Sequence, residues 1–362
     1  MGNCSSNSAL PTLGHSRFGG LRREGSMIEK NDEKKELPSL LNELKLNEKD
    51  RNSEFFDKNV GDKIYAVGCS LKGKSFHPNE DRMIICNELE KVFMENKGLM
   101  SSSPPSVLSR TRLFAVIDGH GGSACAEYLR TNLPAVIAKS KWWSKISANE
   151  TNNVDCICNA LEGALFHLEQ DFHKVCRKTN DTSGAVIVVA VELDGYLCVS
   201  NIGDSEALLL DHRSNKIKMT TLHSVDDPKE KRRVKKAGAN ITNDHIFGIL
   251  APSRTLGDFD VKDVTRNVIL SNPMTHVVHL KHMLEGDHGN PVLVIACDGF
   301  WDIGKDQAIQ FISDQAKIWQ KCQSGEKCED SMTASTDPAQ AIARFAQERG
   351  STDDITVIFV QF

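Results

Sequence analysis

Two stretches of this chain carry an apolar run straight into an acid and a glycine. FAVIDGHGG, residues 114–122, holds Asp118, Gly119 and His120, and PVLVIACDGFWD, residues 291–302, holds Asp298 and Gly299. Aspartate is a poor strand residue, and its charge is costly to bury unless something positive compensates it. The pattern recurs: Asp204 in NIGDSE follows a strand-like run and a glycine, Asp353 in GSTDDITVIF precedes the last such run, and Glu80 and Asp81 in NEDRMII precede another. Any one Asp-Gly pair reads as an ordinary turn. If all these ends converge, however, six carboxylates share one pocket, and their repulsion calls for bound cations. A set of oxygen ligands suits a hard ion, Mg2+ or Mn2+. Two such ions, about 3.5 to 4 Å apart, acidify a bridging water and stabilise charge building on a phosphoryl group, with Asp118 the obvious bridge. The glycine after it lets backbone approach closely, so the Gly119 carbonyl is a candidate ligand. His120 is of a type suited to proton transfer near neutral pH.

The elements that must position these residues are legible in the periodicity. RMIICNEL, RLFAVIDG, GAVIVVAVEL, YLCVSNIG, EALLL and ITVIFVQF read as strands, several joined by tight turns, and the Asp-Gly of ELDGY is a hairpin signal. Ile157, Leu161, Ala164, Leu165, Leu168, Phe172 and Val175 form one helical stripe. Further helices are expected at SACAEYLRTNL, DPKEKRRVKKAG, KDQAIQFISDQAKIWQK and DPAQAIARFAQERG. Helices that come in blocks among antiparallel strands predict an α+β fold, a four-layer α-β-β-α sandwich of two antiparallel sheets flanked by helices. Residues 94–110 and 323–337 have the composition of surface loops.

Residues 1–60, rich in Ser, Asn, Lys and Glu, read as a flexible tail, with residues 61–362 forming the folded domain. The leucines of LPSLLNELKL, residues 37–46, have near-helical spacing and suggest a short docking helix. The chain opens MGNCSS, which makes Gly2 a candidate for myristoylation and Cys4 for palmitoylation. Residues 17–36 hold six basic and five acidic side chains, so no polybasic patch assists a single acyl chain, and Cys4 would have to supply the second anchor. The expectation is a cytoplasmic monomer held at a membrane surface by N-terminal lipid. A formal net charge of -5 argues against a nucleic-acid partner. The eleven cysteines show no repeated spacing and read as reduced structural thiols, Cys322 and Cys328 among them, rather than a zinc site or a disulfide framework.

NEDR, DGHGG, SGA, NIGDS, HSVDDPKEKRRVKKAGA, LAPSRTLGD, ACDGFWD and GSTDD occur in that order. In content and order they resemble the motifs of the metal-dependent serine/threonine protein phosphatases of type 2C, over roughly residues 62–362. The resemblance implies hydrolysis of phosphoserine and phosphothreonine in phosphoprotein substrates. It also implies that Asp118 bridges two metals, that the Gly119 carbonyl, Asp298 and Asp353 complete the ligands, and that Glu80 and Asp81 hold metal-bound waters. Asp204 and Asp298 would lie near a weaker third ion, and His120 would protonate the leaving oxygen.

The departures are specific. Phe76 stands where many members carry the arginine that binds substrate phosphate, so no phosphate-binding residue can be assigned; Lys72, Lys74, His77 and Arg254 are substitutes in principle, though a lysine lacks the guanidinium fork. GDSE with Glu206 replaces the usual GDSR, and Val186 replaces a common threonine. Phe76 motivates an alternative, a pseudophosphatase that keeps the fold for binding. A two-metal nuclease shares the chemistry but would need a basic surface.

Overall fold

The structure is a computed structural model that describes residues 55–60, 64–96, 103–146, 153–211, 215–284, 290–323 and 337–362. Gly2, Cys4, the leucines of residues 37–46 and residues 324–336 lie outside these.

The strands in chain order are β1 (Phe55–Val60), β2 (Tyr65–Leu71), β3 (Arg82–Cys86), β4 (Arg112–His120), β5 (Gly184–Leu193), β6 (Tyr196–Ile202), β7 (Glu206–Leu210), β8 (Lys216–Lys218), β9 (Ile241–Thr242), β10 (His245–Ile246), β11 (Leu256–Gly257), β12 (Met274–His279), β13 (Val292–Ala296) and β14 (Ile355–Gln361). One antiparallel sheet runs β1-β2-β14-β13-β7-β8. The other runs β12-β6-β5-β4-β3, with β11 added against β5. The Asp-Gly turn between β5 and β6 holds Asp194 at φ 51° and Gly195 at φ 85°, the positive values that a two-residue hairpin loop demands.

Three of the four layers meet in two apolar seams. Phe114, Val116, Val188, Leu209, Ile295 and Ile358 interdigitate between the sheets. Val67, Val294 and Phe359 face the other way and pack on Ile312 of helix Lys305–Gln323 and Ile342 of helix Pro338–Glu348. The outer face of the second sheet contacts helices Ala124–Ala138 and Asn153–Thr179. Ile157, Leu161, Ala164, Leu165, Leu168 and Phe172 are all buried, so the helical stripe read from spacing is the buried face. This is the expected sandwich. A smaller core of Val225, Val234, Ile246, Leu250, Val268 and Ile269 gathers around helix Pro228–Lys236 and the β9–β10 hairpin. Among the described residues no helix is long and apolar enough to cross a membrane.

Three readings change. Residues 55–60, assigned to the tail, pair along β2 as an edge strand, so the folded part begins before residue 61. The 94–110 insertion is not wholly surface loop, because a 3-10 turn at Ser106–Arg110 buries Val107 and leaves Leu108 with no exposure; apolar anchors in a short polar stretch escape a compositional argument. Cys322 is disulfide-bonded, whereas Cys125, Cys176, Cys198 and Cys297 are buried thiols outside any disulfide, as expected of structural thiols.

Candidate metal centre

Strand register brings the acids to one end of the sandwich. Arg82 of β3 lies opposite Ile117 of β4, which sets Asp81, just before β3, beside Asp118. Ala296 of β13 lies opposite Val357 of β14, so Asp298 and Asp353 emerge together from the neighbouring edge. Asp118 is opposite Val186 of β5, and Ile187 is opposite Ile202 of β6, so the turn bearing Asp204 follows at the same end.

The electrostatics record this crowding. Burial first, then the charges of Asp298, Asp81, Asp204 and Asp353, push the Asp118 carboxyl well above its ordinary value. Asp204 is raised likewise by burial and then by Asp298, Asp302 and Glu206. Burial, with Asp353 and Asp302, lifts Asp298 to about 6. Asp81 is pushed up to about 8, chiefly by burial with Asp354 and Asp298 adding, although the Thr356 hydroxyl and Cys297 thiol oppose the rise. Glu80 is also raised by burial, an effect that His77, the Gly122 N–H and His120 ease. Five of the expected acids, Asp81, Asp118, Asp204, Asp298 and Asp353, thus feel one another's charge, with Asp118 at their centre, while the acid that Glu80 feels is Asp354.

The residues fit a hard divalent ion. Asp81 is almost fully buried, yet among the described residues its Oδ2 has no hydrogen-bond partner. Ligand-capable atoms of Asp81, Asp118 and Cys297 lie within 4.8 Å of one another. Burial and the neighbouring acids keep the Cys297 thiol protonated, and its Sγ is engaged with the Asp354 carbonyl at 3.3 Å and the Thr356 N–H at 3.0 Å. That leaves carboxylate oxygens as the donors, the set preferred by Mg2+ or Mn2+. Gly119 matters sterically: a Cβ there would stand 2.6 Å from the Glu80 carbonyl oxygen, so only glycine lets the end of β4 close on the loop that carries Glu80.

Three more acids belong to the site. Asp302, four residues beyond Asp298, is raised by burial and by Asp353. Asp354 accepts the backbone N–H of Gly73 at 2.7 Å and of Glu80 at 2.8 Å, so it fastens the loop before β3. Asp258 holds the Nε2 of His120 at 2.9 Å from each of its carboxylate oxygens. All three sit inside ACDGFWD, GSTDD and LAPSRTLGD, the very motifs that carried the resemblance; Asp354 beside an acid and Asp258 after a glycine offered a signal, whereas Asp302, between Trp301 and Ile303, offered none.

The candidates for phosphate binding separate. Arg254 is committed, its Nη2 on Glu230 Oε1 at 2.7 Å and its Nη1 on the Asn272 carbonyl at 2.9 Å. Lys72 donates to the Ser75 carbonyl at 2.6 Å and so braces its own loop. The backbone N–H of Lys74 bonds the Thr352 carbonyl at 2.8 Å, but its side chain has no hydrogen bond or ion pair among the described residues and the residue is exposed, as are Phe76 and His77 on the same loop. Glu206, where arginine is usual, is nearly buried and held by Lys218 at 2.6 Å and Lys305 at 2.8 Å.

The family model described as protein phosphatase 2C matches residues 67–355. Protein phosphatase 1L of Bos taurus is 28% identical over 81% of this chain and 71% of its own length. Protein phosphatase 2C homolog 1 of Saccharomyces cerevisiae is 27% identical over 68% of this chain and 80% of its own. A solved structure of serine-threonine phosphatase 2C from Toxoplasma gondii superposes with a TM-score of 0.63 at 21% identity, covering 86% of this chain and 99% of that one, which supports the likeness of fold.

Proposed function

Because this chain belongs to the protein phosphatase 2C family, we propose that it hydrolyses phosphoserine and phosphothreonine monoesters in proteins at a centre built for two divalent cations. The observation that carries this reading is the convergence of carboxylates on Asp118, with one buried Asp81 oxygen left without a partner among the described residues. Asp118 would bridge the two ions, with the Gly119 carbonyl, Asp298 and Asp353 as further ligands and with Glu80 and Asp81 holding water around them. Asp204, Asp298 and Asp302 face one another and would take a weaker third ion. When bound, such ions make water a stronger acid and offset charge that builds on the phosphoryl oxygens.

The chain's own groups do the rest. Water attacks phosphorus in line, the P–O bond to serine or threonine breaks, and His120 supplies the proton that the leaving oxygen takes up. Phosphate and a free hydroxyl side chain are the products. Lys74 and His77 are the basic side chains left for the substrate phosphate. Neither has the bidentate geometry of arginine, so weak substrate binding is the expected consequence of Phe76. Gly2 and Cys4 would place the enzyme on a membrane surface.

Phe76 also supports a second reading, a catalytically weak or inactive pseudophosphatase that serves as a binding module. Purified full-length chain with Mn2+ and a panel of phosphothreonine peptides separates the two. Release of phosphate that Asp298→Asn removes supports the enzyme; no release, or release indifferent to that change, leaves the binding module.

A further inference from the structure

His120 closes β4, and Asp258 follows β11, far along the chain, yet the two form a closed pair. The imidazole Nε2 is 2.9 Å from both Asp258 oxygens, and the carboxylate side chain is only 5% exposed. Among the described residues no other donor reaches that carboxylate, and the Nδ1 of His120 makes no hydrogen bond. A buried carboxylate needs a donor, so Nε2 carries hydrogen toward Asp258 and Nδ1 is left as the free edge of the ring.

The placement of Asp258 is over-determined. It adopts left-handed backbone angles, φ 52° and ψ 41°, which cost a residue with a side chain something to hold. Its N–H bonds the Ser183 carbonyl at 3.2 Å. The preceding Gly257 donates to Glu169 of helix Asn153–Thr179 at 2.9 Å, and Lys262 ties the other Glu169 oxygen at 2.6 Å while also bonding the Thr255 carbonyl at 2.9 Å. A Cβ on Gly184 would fall within 2.4 Å of the Asp258 carboxyl atoms, so the absence of that atom makes the space the pair uses. Strain braced from several sides beside a reacting group points to a role in the chemistry.

We propose that Asp258 is the positioning residue for His120: it fixes the ring with Nε2–H toward itself, so that Nδ1 is the atom that hands a proton to the leaving serine or threonine oxygen. The inference rests on the phosphatase reading above. As the P–O bond breaks, the leaving oxygen keeps the bonding pair and takes the Nδ1 proton. His120 is left neutral, still bonded to Asp258, and regains a proton from solvent before the next turnover.

The test uses the full chain with Mn2+, a phosphothreonine peptide and p-nitrophenyl phosphate, whose leaving group departs without needing a proton. Asparagine tolerates left-handed backbone, so Asp258→Asn keeps the shape and disturbs the hydrogen bond, favouring the wrong tautomer. Its kcat on the peptide should fall on the order of 10²-fold, the lower end of what a positioned acid contributes, with KM held and with a loss on the aryl ester at least about tenfold smaller. In a His120→Asn background the same change should add nothing. Gly184→Ala, which displaces the carboxylate while leaving both partners in the chain, should show the same leaving-group selectivity. Equal losses on both substrates, or a further loss in the double variant, overturn the proposal. If the wild-type chain cleaves neither substrate, the phosphatase reading fails by itself. The pairing is still tested by imidazole nitrogen NMR, where an unchanged His120 tautomer in Asp258→Asn would refute it.

Discussion

The carboxylate of Asp354 holds the backbone N–H of Glu80 at 2.8 Å and, through its other oxygen, that of Gly73 at 2.7 Å. An acid at the start of β14 thus fixes the loop that delivers Glu80 and Asp81 to the centre. Asp354→Ala would leave both N–H groups without an acceptor, at about 1–3 kcal/mol each. The site consequence should be larger than the fold consequence. Mn2+ affinity, read by calorimetry, is expected to weaken about 10–100-fold, as when a partner that orients metal ligands is removed. An unchanged Mn2+ affinity would show that the loop holds its course without this anchor.

The metal-free protein should become less stable as pH rises. Asp81 titrates at about 8 and Asp298 at about 6 in the fold, against an ordinary 3.8. Between those limits the folded state binds more protons than the unfolded chain, so the contribution of these groups is greatest at the acid end and disappears as pH passes the folded values. Thermal melts in chelator should therefore show a falling midpoint across that window. Saturating Mn2+ should flatten or reverse the trend, because cations stabilise the ionised acids. A midpoint that climbs with pH in chelator would contradict the crowding described here.

The Glu230 cluster has the opposite sign. Burial by itself would raise this carboxyl, but hydrogen bonds from Arg254, Arg233 and Ser253 outweigh it and hold the group at about 2. Its contribution is complete above the ordinary 4.5 and is lost as pH falls through about 2. Glu230→Ala strands two guanidinium groups that also bond the backbone carbonyls of Val268, Ser253 and Asn272. The expected loss in urea unfolding is about 3–5 kcal/mol, typical of a broken buried pair. A loss below about 1 kcal/mol, the range of exposed pairs, would make the cluster incidental.

Fractionation of cells expressing the full chain tests the acylation proposal. Gly2→Ala should release the protein from the membrane pellet, and Cys4→Ser should release most of it, since a single myristoyl chain binds a bilayer only marginally. A pellet that keeps the Gly2→Ala protein excludes this mode of attachment.

Much of the architecture was legible because its signals are local. The helical stripe from Ile157 to Phe172 and the strand runs ending at Asp118 and Asp298 announce buried faces by period alone. The six acids were legible because charge at the end of an apolar run demands an explanation. Residues that act through geometry were not. The pairing of Asp258 with His120 depends on a left-handed turn, and the grip of Asp354 on Glu80 on two strand ends far apart in the chain. The commitment of Arg254 to Glu230 likewise needs the fold to be seen. β1 was missed because an edge strand shared with a polar tail has no alternation strong enough to read.

The acids of the centre are drawn from both halves of the sandwich: Asp81 and Asp118 from the strands of one sheet, Asp298 and Asp353 from those of the other. An ion shared among them, as proposed above, would therefore act as a clasp at the open end of two layers otherwise joined by greasy contacts. Stripping it should loosen that end first, so catalytic competence and the mechanical coherence of the molecule depend on the same joint.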